Sequence, residues 1–458
     1  STKFRGVSID LGAAWIHGIE GNPLATLAKQ SGVKFVPTDF DSARWVEADS
    51  REVPAKLLAQ VQEAAERVMK FVANEQEQLE KDVPLSQLIE RATAAIKPSA
   101  EVQAWLPTFV ANEIEGEYAA SPRELSGMWF DAAEAFGGDE VILPQGYGRL
   151  TQILAQGLDI SLRTPVREIR MEGDGVTVVT ANGPLRAKRV LVTLPLGVLK
   201  SGRVKIEPWP EPHRQSVARL GMGVLNKVVV EVVDVPLPEE TFLVRPVGDG
   251  RAPTYWLNLQ PLLKRNILVG LIGGEAARKL ELETDEGILR LAERGLFELL
   301  GDVPGIESAE VTRWGADPWA MGAYSFFAVG SSPEDCRNLA APIEDRIFFA
   351  GEATHAEHPS TVHGAMMSGQ REAARLLKSL DLGSSAVDSG PPSNQKLVKL
   401  CGDAPARFAA PLRGVGRKAR SGGRPAVDSG HLASLAGGAG PSRTDRIHGW
   451  GGLGDPTG

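Results

Sequence analysis

The stretch Ile347-Phe348-Phe349-Ala350-Gly351-Glu352-Ala353-Thr354, with Thr361-Val362-His363-Gly364-Ala365 a few residues on, decides how this chain folds. Residues 347–350 form the short unbroken apolar run expected of a parallel strand covered on both faces. Gly351 allows a tight turn or a close ligand approach. Glu352 then stands at the carboxyl end of the strand, where open α/β sheets place ligands. A helix is expected from about residue 361 to 380, and its N-terminus favours negative charge. The segment can hold a hydroxyl-bearing ligand with Glu352 and an anionic group with the helix end. The alternative, in which Glu352 only caps the turn, stands equally on these residues.

Working outward, the pattern alternates between helix and strand. Residues 23–30 read as a short helix after Asn22, a suitable N-cap. Across residues 54–81, Leu57, Val61, Ala64, Val68, Phe71 and Val72 recur at helical spacing. Two more helices are expected over 84–118. Strands follow at 166–171, 176–180, 190–194, 225–233 and 267–272, and residues 288–300 are again helical. Lys227 sits in the strongly apolar strand 225–233. Either it is buried with a partner, which would mark function, or the alternation turns it to solvent.

The chain has 458 residues, enough for two or three domains. Its 42% hydrophobic and 24% charged content is that of a globular protein with a large core. No apolar run reaches the roughly 18 residues that span a bilayer, and residues 1–6 carry no signal pattern. The chain ends Pro456-Thr457-Gly458, which is no peroxisomal tripeptide, so the default expectation is cytoplasm. Cys336 and Cys401 are too few and too far apart for a disulfide framework or a metal cluster. The net charge of −8 argues against nucleic acid as the main partner and suits a polycationic substrate, though solubility alone explains it. Residues 382–458, rich in Gly, Ser, Pro, Ala and Arg, lack apolar periodicity and are expected to be disordered. Gly414-x-Gly416-x-x-Ala419 in that tail follows no strand, so it is not read as a dinucleotide site.

With these residues quoted, a resemblance appears. Residues 349–354, 361–365 and Ser368-Gly369-Gln370-Arg371-Glu372-Ala373 resemble the C-terminal signature of flavin-containing amine oxidases, nearest to their polyamine oxidase and spermine oxidase-like branch. Leu11-Gly12-Ala13-Ala14-Trp15-Ile16-His17-Gly18 is similar to the family segment beside the flavin ring. Thr164-Pro165-Val166 and Val192-Thr193-Leu194-Pro195-Leu196-Gly197 are similar to later FAD-domain segments. Leu225-Asn226-Lys227-Val228 resembles the active-site lysine strand. Trp314-Gly315-Ala316-Asp317-Pro318-Trp319 and Gly322-Ala323-Tyr324-Ser325 resemble the stretch lining the substrate cavity. The matches run in family order over residues 8–380.

The resemblance implies an α/β fold. A discontinuous Rossmann-like FAD domain would comprise residues 1–35, 146–200 and 335–381. An α+β substrate domain with a mixed sheet would comprise 36–145 and 201–334. It implies non-covalent FAD held by Gly12, Ala13, Ala14, Trp15, Val166, Trp314, Gly351, Glu352, Thr361 and Val362. Glu352 would bind the sugar part and Val166 the adenine end. It implies oxidation of amines, most of all polyamines such as spermine, spermidine or acetylated forms, with oxygen as co-substrate and hydrogen peroxide as product. Lys227 would hold a water near the reactive flavin nitrogen, and His17 would face the substrate. Tyr324, His358 and Trp319 would line the substrate cavity, with His358 in place of the usual second aromatic of a cation-binding cage. Family members open with a strand and a G-x-G-x-x-G turn. None precedes Ser1, so the chain is expected to be N-terminally truncated in its FAD domain.

Three other readings compete. A histone lysine demethylase shares these motifs but carries helical insertions that the folded region is too short to hold. Monoamine oxidases attach flavin to a cysteine shortly before the final helix, and residues 337–400 contain none. A non-catalytic remnant that only binds a partner would follow from the missing phosphate loop and His358.

Overall fold

The computed structural model describes residues 1–302 and 305–379. The tail expected to be disordered and Cys401 lie outside the described residues.

The deciding stretch folds as strand, turn and helix. Strand Ile347–Phe349 runs parallel to Val190–Val192, with Val190 opposite Ile347. All three of its residues are buried, as a strand covered on both faces requires. Gly351 follows at φ 133°, a conformation that residues with a β-carbon rarely adopt. Its N–H donates to Ser368 Oγ at 2.8 Å, which ties the turn to helix Val362–Ser379. A four-stranded sheet lies alongside, in the order Lys205–Glu207, Val166–Glu172, Gly175–Thr180, Gly183–Ala187. Ile169, Val176, Ile206, Ile347 and Phe349 join the two into one core. Strand Gly183–Ala187 is absent from the sequence expectation because it is an exposed edge strand that contains Pro184.

A second, six-stranded sheet has the order Gly305–Val311, Leu225–Val233, Ile267–Gly273, Tyr255–Asn258, Phe242–Val244, Ala43–Trp45. Its pairs are antiparallel except the last, so the sheet is mixed. Strand alternation sorts its residues. Val228, Val230 and Val232 face helix Asp285–Leu300, whose Ile288, Ala292, Leu296 and Leu299 recur at helical spacing to meet them. Thr284 caps that helix, its Oγ1 accepting the Gly287 N–H at 3.1 Å. Lys227 and Val229 point to the opposite face. That face is covered by residues from the start of the chain rather than by solvent.

Helices Ala55–Gln76, Leu85–Ile96 and Ala100–Phe109 build a wall beside this sheet. The sequence pattern predicts plain helix up to residue 118, but the chain opens into a π-helical turn at Val110–Glu115. Pro107, inside the preceding helix, supplies no N–H to it, and its ring crowds the carbonyl one turn back. π turns of this kind concentrate at functional sites because they swing side chains out of helical register. The fold is α/β, and among the described residues no helix is long and apolar enough to cross a membrane.

Candidate active site

A cavity of about 950 Å3 lies between the six-stranded sheet, the helical wall and the strand–turn–helix unit. Its floor is a row across the sheet. Lys227 and Tyr255 both pair with Leu271, from either side. Directly paired residues share a face, and all three line the cavity.

Lys227 is 3% exposed. Its Nζ donates to the carbonyl oxygens of Asp10 and Gly12, at 2.7 Å each, and stands 5.8 Å from the centre of the Trp15 ring. Burial pushes the ammonium down to about 8, and the nearby Asp10 carboxylate opposes that shift. The carbonyl between these two, that of Leu11, accepts from Trp314 Nε1 at 3.1 Å. Tyr147 completes the clamp. Its backbone N–H donates to the Asp10 carboxylate at 3.0 Å, and its hydroxyl donates to the Trp15 carbonyl at 2.9 Å. The segment holding Gly12, Ala13, Ala14 and Trp15 is therefore fixed from both ends, and all four residues line the cavity. Two of the three N–H donors of Lys227 go to backbone carbonyls, so most of what this ammonium does is to hold that segment in place.

The opposite end is formed by the strand–turn–helix unit. Glu352 lines the cavity, and its carboxylate accepts from Ser325 Oγ at 2.5 Å and from the Ser360 N–H at 2.8 Å. Burial raises this carboxyl above its ordinary value, and the hydrogen bonds from Ser325 and Ser360 oppose the shift. The two sequence readings of Glu352 are thus compatible, since it ties two loops together and also faces the cavity. Thr361 and Val362 line the cavity where helix Val362–Ser379 begins. The first N–H groups of such a helix have no partner within it.

The π turn contributes groups that the sequence reading missed. Asn112, Glu113, Glu117 and Tyr118 line the cavity. Glu113 and Glu117, four positions apart, share one side even of a plain helix, but no local pattern shows that this side borders the cavity. Burial, reinforced by Glu117, raises the Glu113 carboxyl to about 7. Burial and the neighbouring Glu113 hold the Tyr255 phenol well above its usual range. At the side of the cavity, His17 Nδ1 lies 2.7 Å from Glu140 Oε2, a second residue missed because 123 positions separate the two. Tyr324 lines the cavity, its hydroxyl donating to the carbonyls of Gly116 and Glu117.

Two expected cavity residues lie elsewhere. His358 is buried, stacked on Phe136 at 4.9 Å, with Nδ1 2.9 Å from the Glu134 carbonyl. It lies outside the cavity wall because the loop after Glu352 packs inward on Phe136. Trp319 is 67% exposed and stands outside the cavity wall. The Asp317 carboxylate accepts the Trp319 backbone N–H at 2.8 Å, which fixes a turn at this point of the chain. Val166, at the start of the four-stranded sheet, and Gly351, under the turn, also stand outside the wall.

The donor set suits a flavin. A planar ring system needs rigid backbone on one side, and the clamped segment 12–15 supplies it. An electron-rich ring edge needs fixed positive partial charge, and the helix start at Thr361–Val362 supplies that. Cys336, the free cysteine of the described residues, is buried in an apolar cluster and does not line the cavity, which suits non-covalent binding.

Comparison with known proteins agrees with this geometry. The sequence model of a family described as flavin containing amine oxidoreductase matches residues 1–377. Polyamine oxidase 2 of Arabidopsis thaliana is 31% identical over 381 residues, covering 80% of this chain and 77% of that one. Lysine-specific histone demethylase 1 homolog 1 of Oryza sativa subsp. japonica is 33% identical over 399 residues, but this chain spans only 47% of it. A solved structure of a putrescine oxidase redesigned in its cofactor binding shares the fold, with a TM-score of 0.63 at 18% identity, over 82% of this chain and 90% of that one.

Proposed function

This chain belongs to the flavin-containing amine oxidoreductase family, an FAD-dependent amine oxidase, and we propose that its substrate is a polyamine oxidised with release of hydrogen peroxide. One observation carries the choice of substrate. Among the described residues, eight acidic side chains line the cavity (Asp39, Asp41, Glu113, Glu117, Asp131, Asp139, Glu140, Glu352) against a single lysine, Lys227, and no arginine. A cavity so biased favours an extended polycation over a neutral or anionic amine.

Segment 12–15, Glu352 and the helix start at Thr361–Val362 would hold FAD, which would supply hydride acceptance from the carbon beside an amine nitrogen. The chain's own residues prepare the site. Lys227, Trp314 and Tyr147 hold segment 12–15 at the ring. The helix starting at Val362 directs positive partial charge into the cavity, where it would favour the electron-rich edge of a bound flavin. His17, oriented by Glu140, faces the cavity where an amine proton can be accepted or returned. Tyr324 offers one aromatic face to a cationic or neutral amine. In this reading residues 1–35, 146–200 and 335–379 contribute the FAD-binding part, and the six-stranded sheet with its helical wall forms the substrate part.

The test is a peroxide assay on the flavin-loaded protein with spermine, spermidine, their acetylated forms and a dimethyl-lysine peptide. Turnover of the small polyamines well above the peptide is expected. Preference for the peptide would replace this reading with a demethylase-like one, and no turnover of any amine would end it.

A further inference from the structure

Trp314 is the one member of the clamp on segment 12–15 whose own support lies outside the cavity. Its indole Nε1 donates to the Leu11 carbonyl at 3.1 Å. The indole also lies against Gly12, where a β-carbon would stand 3.6 Å from Cζ2. The Trp314 backbone is held from another direction, its N–H donating to Asn226 Oδ1 at 2.9 Å. Asn226 precedes Lys227 on the strand, so alternation sends it to the opposite face, where it is fully buried. Thr312 Oγ1 donates to the same Oδ1 at 3.1 Å and accepts the Lys227 backbone N–H at 2.8 Å.

Asn226 supports Trp314 only while its amide presents oxygen, not nitrogen, to the loop. Glu281 fixes that orientation, because a carboxylate accepts and cannot donate. Its Oε1 takes the Asn226 Nδ2 proton at 2.8 Å and the Gly315 N–H at 2.8 Å. One carboxylate oxygen therefore orients both the asparagine amide and the residue next to Trp314. The approach is close enough to require glycine, since a β-carbon on Gly315 would stand 2.6 Å from Glu281 Oε2. Glu281 directly follows helix Gly274–Leu280 and does not line the cavity.

We propose that Glu281 is a positioning residue for the ring-side segment. It orients the Asn226 amide and the Gly315 peptide, these set the Trp314 backbone, and the indole then fixes Leu11 and Gly12. Lys227 holds the segment from one face of its strand, and Glu281 holds it from the other through Asn226 and Trp314. The expected effect on turnover rests on the amine-oxidising reading of the site, whereas the mechanical link from Glu281 to segment 12–15 does not.

The test compares flavin-loaded wild type with Glu281→Ala, Glu281→Gln and Gly315→Ala. Hydrogen exchange read by mass spectrometry follows peptides covering residues 9–16 and 312–316, with helix Ala55–Gln76 as the control. Oxygen uptake with spermidine gives kcat and KM. Glu281→Ala should speed exchange at residues 9–16 about tenfold with the control unchanged, and lower kcat about tenfold with KM within about twofold of wild type. Glu281→Gln keeps an acceptor oxygen for both donors and should restore both readouts. Gly315→Ala pushes the carboxylate away from the other side and should reproduce the Glu281→Ala signature. The double variant should be no worse than Glu281→Ala alone, as expected of two changes in one contact. Unchanged exchange at residues 9–16 in Glu281→Ala or Gly315→Ala would overturn the proposal, and so would exchange raised equally in the control helix or a loss confined to KM. If Glu281→Ala does not fold, Gly315→Ala against Glu281→Gln gives the same decision. Wild-type protein that oxidises no amine would end the oxidase reading, while the exchange result would still decide the role of Glu281.

Discussion

The two ends of the cavity floor are built on opposite principles. At the Lys227 end the polar groups are satisfied within the protein. The carbonyls of Asp10, Leu11 and Gly12 each accept a hydrogen bond, from Lys227 or Trp314, and Tyr147 holds both Asp10 and Trp15. At the π-turn end the buried Asn112 Nδ2 has no acceptor among the described residues. A satisfied end is rigid before anything binds, as a ring-positioning surface must be. An unsatisfied end holds desolvation free energy that a ligand can recover. The contrast separates a part of the site held rigid by its own hydrogen bonds from a part with an open hydrogen-bond group.

The largest effect is expected at the satisfied end. Lys227→Met leaves two buried carbonyls without donors and frees the segment they anchor. Flavin reduction by substrate should slow on the order of 100-fold, with bound FAD retained, when followed by anaerobic stopped-flow bleaching. An unchanged rate would show that segment 12–15 holds its place without the lysine.

The unsatisfied end should show itself in stability. The Glu113 carboxyl is raised from 4.5 to about 7 in the folded chain. Between those values the folded state binds more protons than the unfolded one, so stability falls as pH rises through this window. The cost is absent below pH 4.5 and fully present above about pH 7. Glu113→Gln should therefore match wild type at pH 4.5 and exceed it at pH 8 by about 1–3 kcal/mol. Urea denaturation at the two pH values measures this. A pH-independent difference would mean the carboxyl is not strained by its burial.

The smallest effect marks the boundary of the comparison. Trp319 is exposed and outside the cavity wall. Trp319→Ala should change stability by no more than about 0.5 kcal/mol and leave the KM for amines as it was. A clear rise in KM would return the indole to the substrate path.

Much of the site could be read along the chain because its pieces are local. The run 347–350, the turn at Gly351 and the helix after Thr361 are one contiguous unit, whose strand, glycine and helix signals agree. Lys227 stands out in the sequence because an ammonium in an apolar strand is out of place. Its partners do not, since Asp10 and Gly12 lie more than two hundred positions away. The family resemblance places His358, by spacing, and Trp319, as part of a motif, in the cavity. Neither fixes which way a loop side chain turns: His358 packs on Phe136, and Trp319 is exposed outside the cavity wall.

The sequence by itself determined the α/β class, the strand–turn–helix unit and the strand on which Lys227 lies. All of these follow from short-range periodicity and from the backbone demands of single residues. The tertiary structure alone decided which face of that strand was covered, and that the covering segment supplied carbonyls rather than carboxylates to Lys227. It also decided that the helix after Pro107 opened into a π turn and brought Glu113 beside Tyr255. Burial and partnering depend on what other segments place within a few ångströms, and no local pattern carries that information.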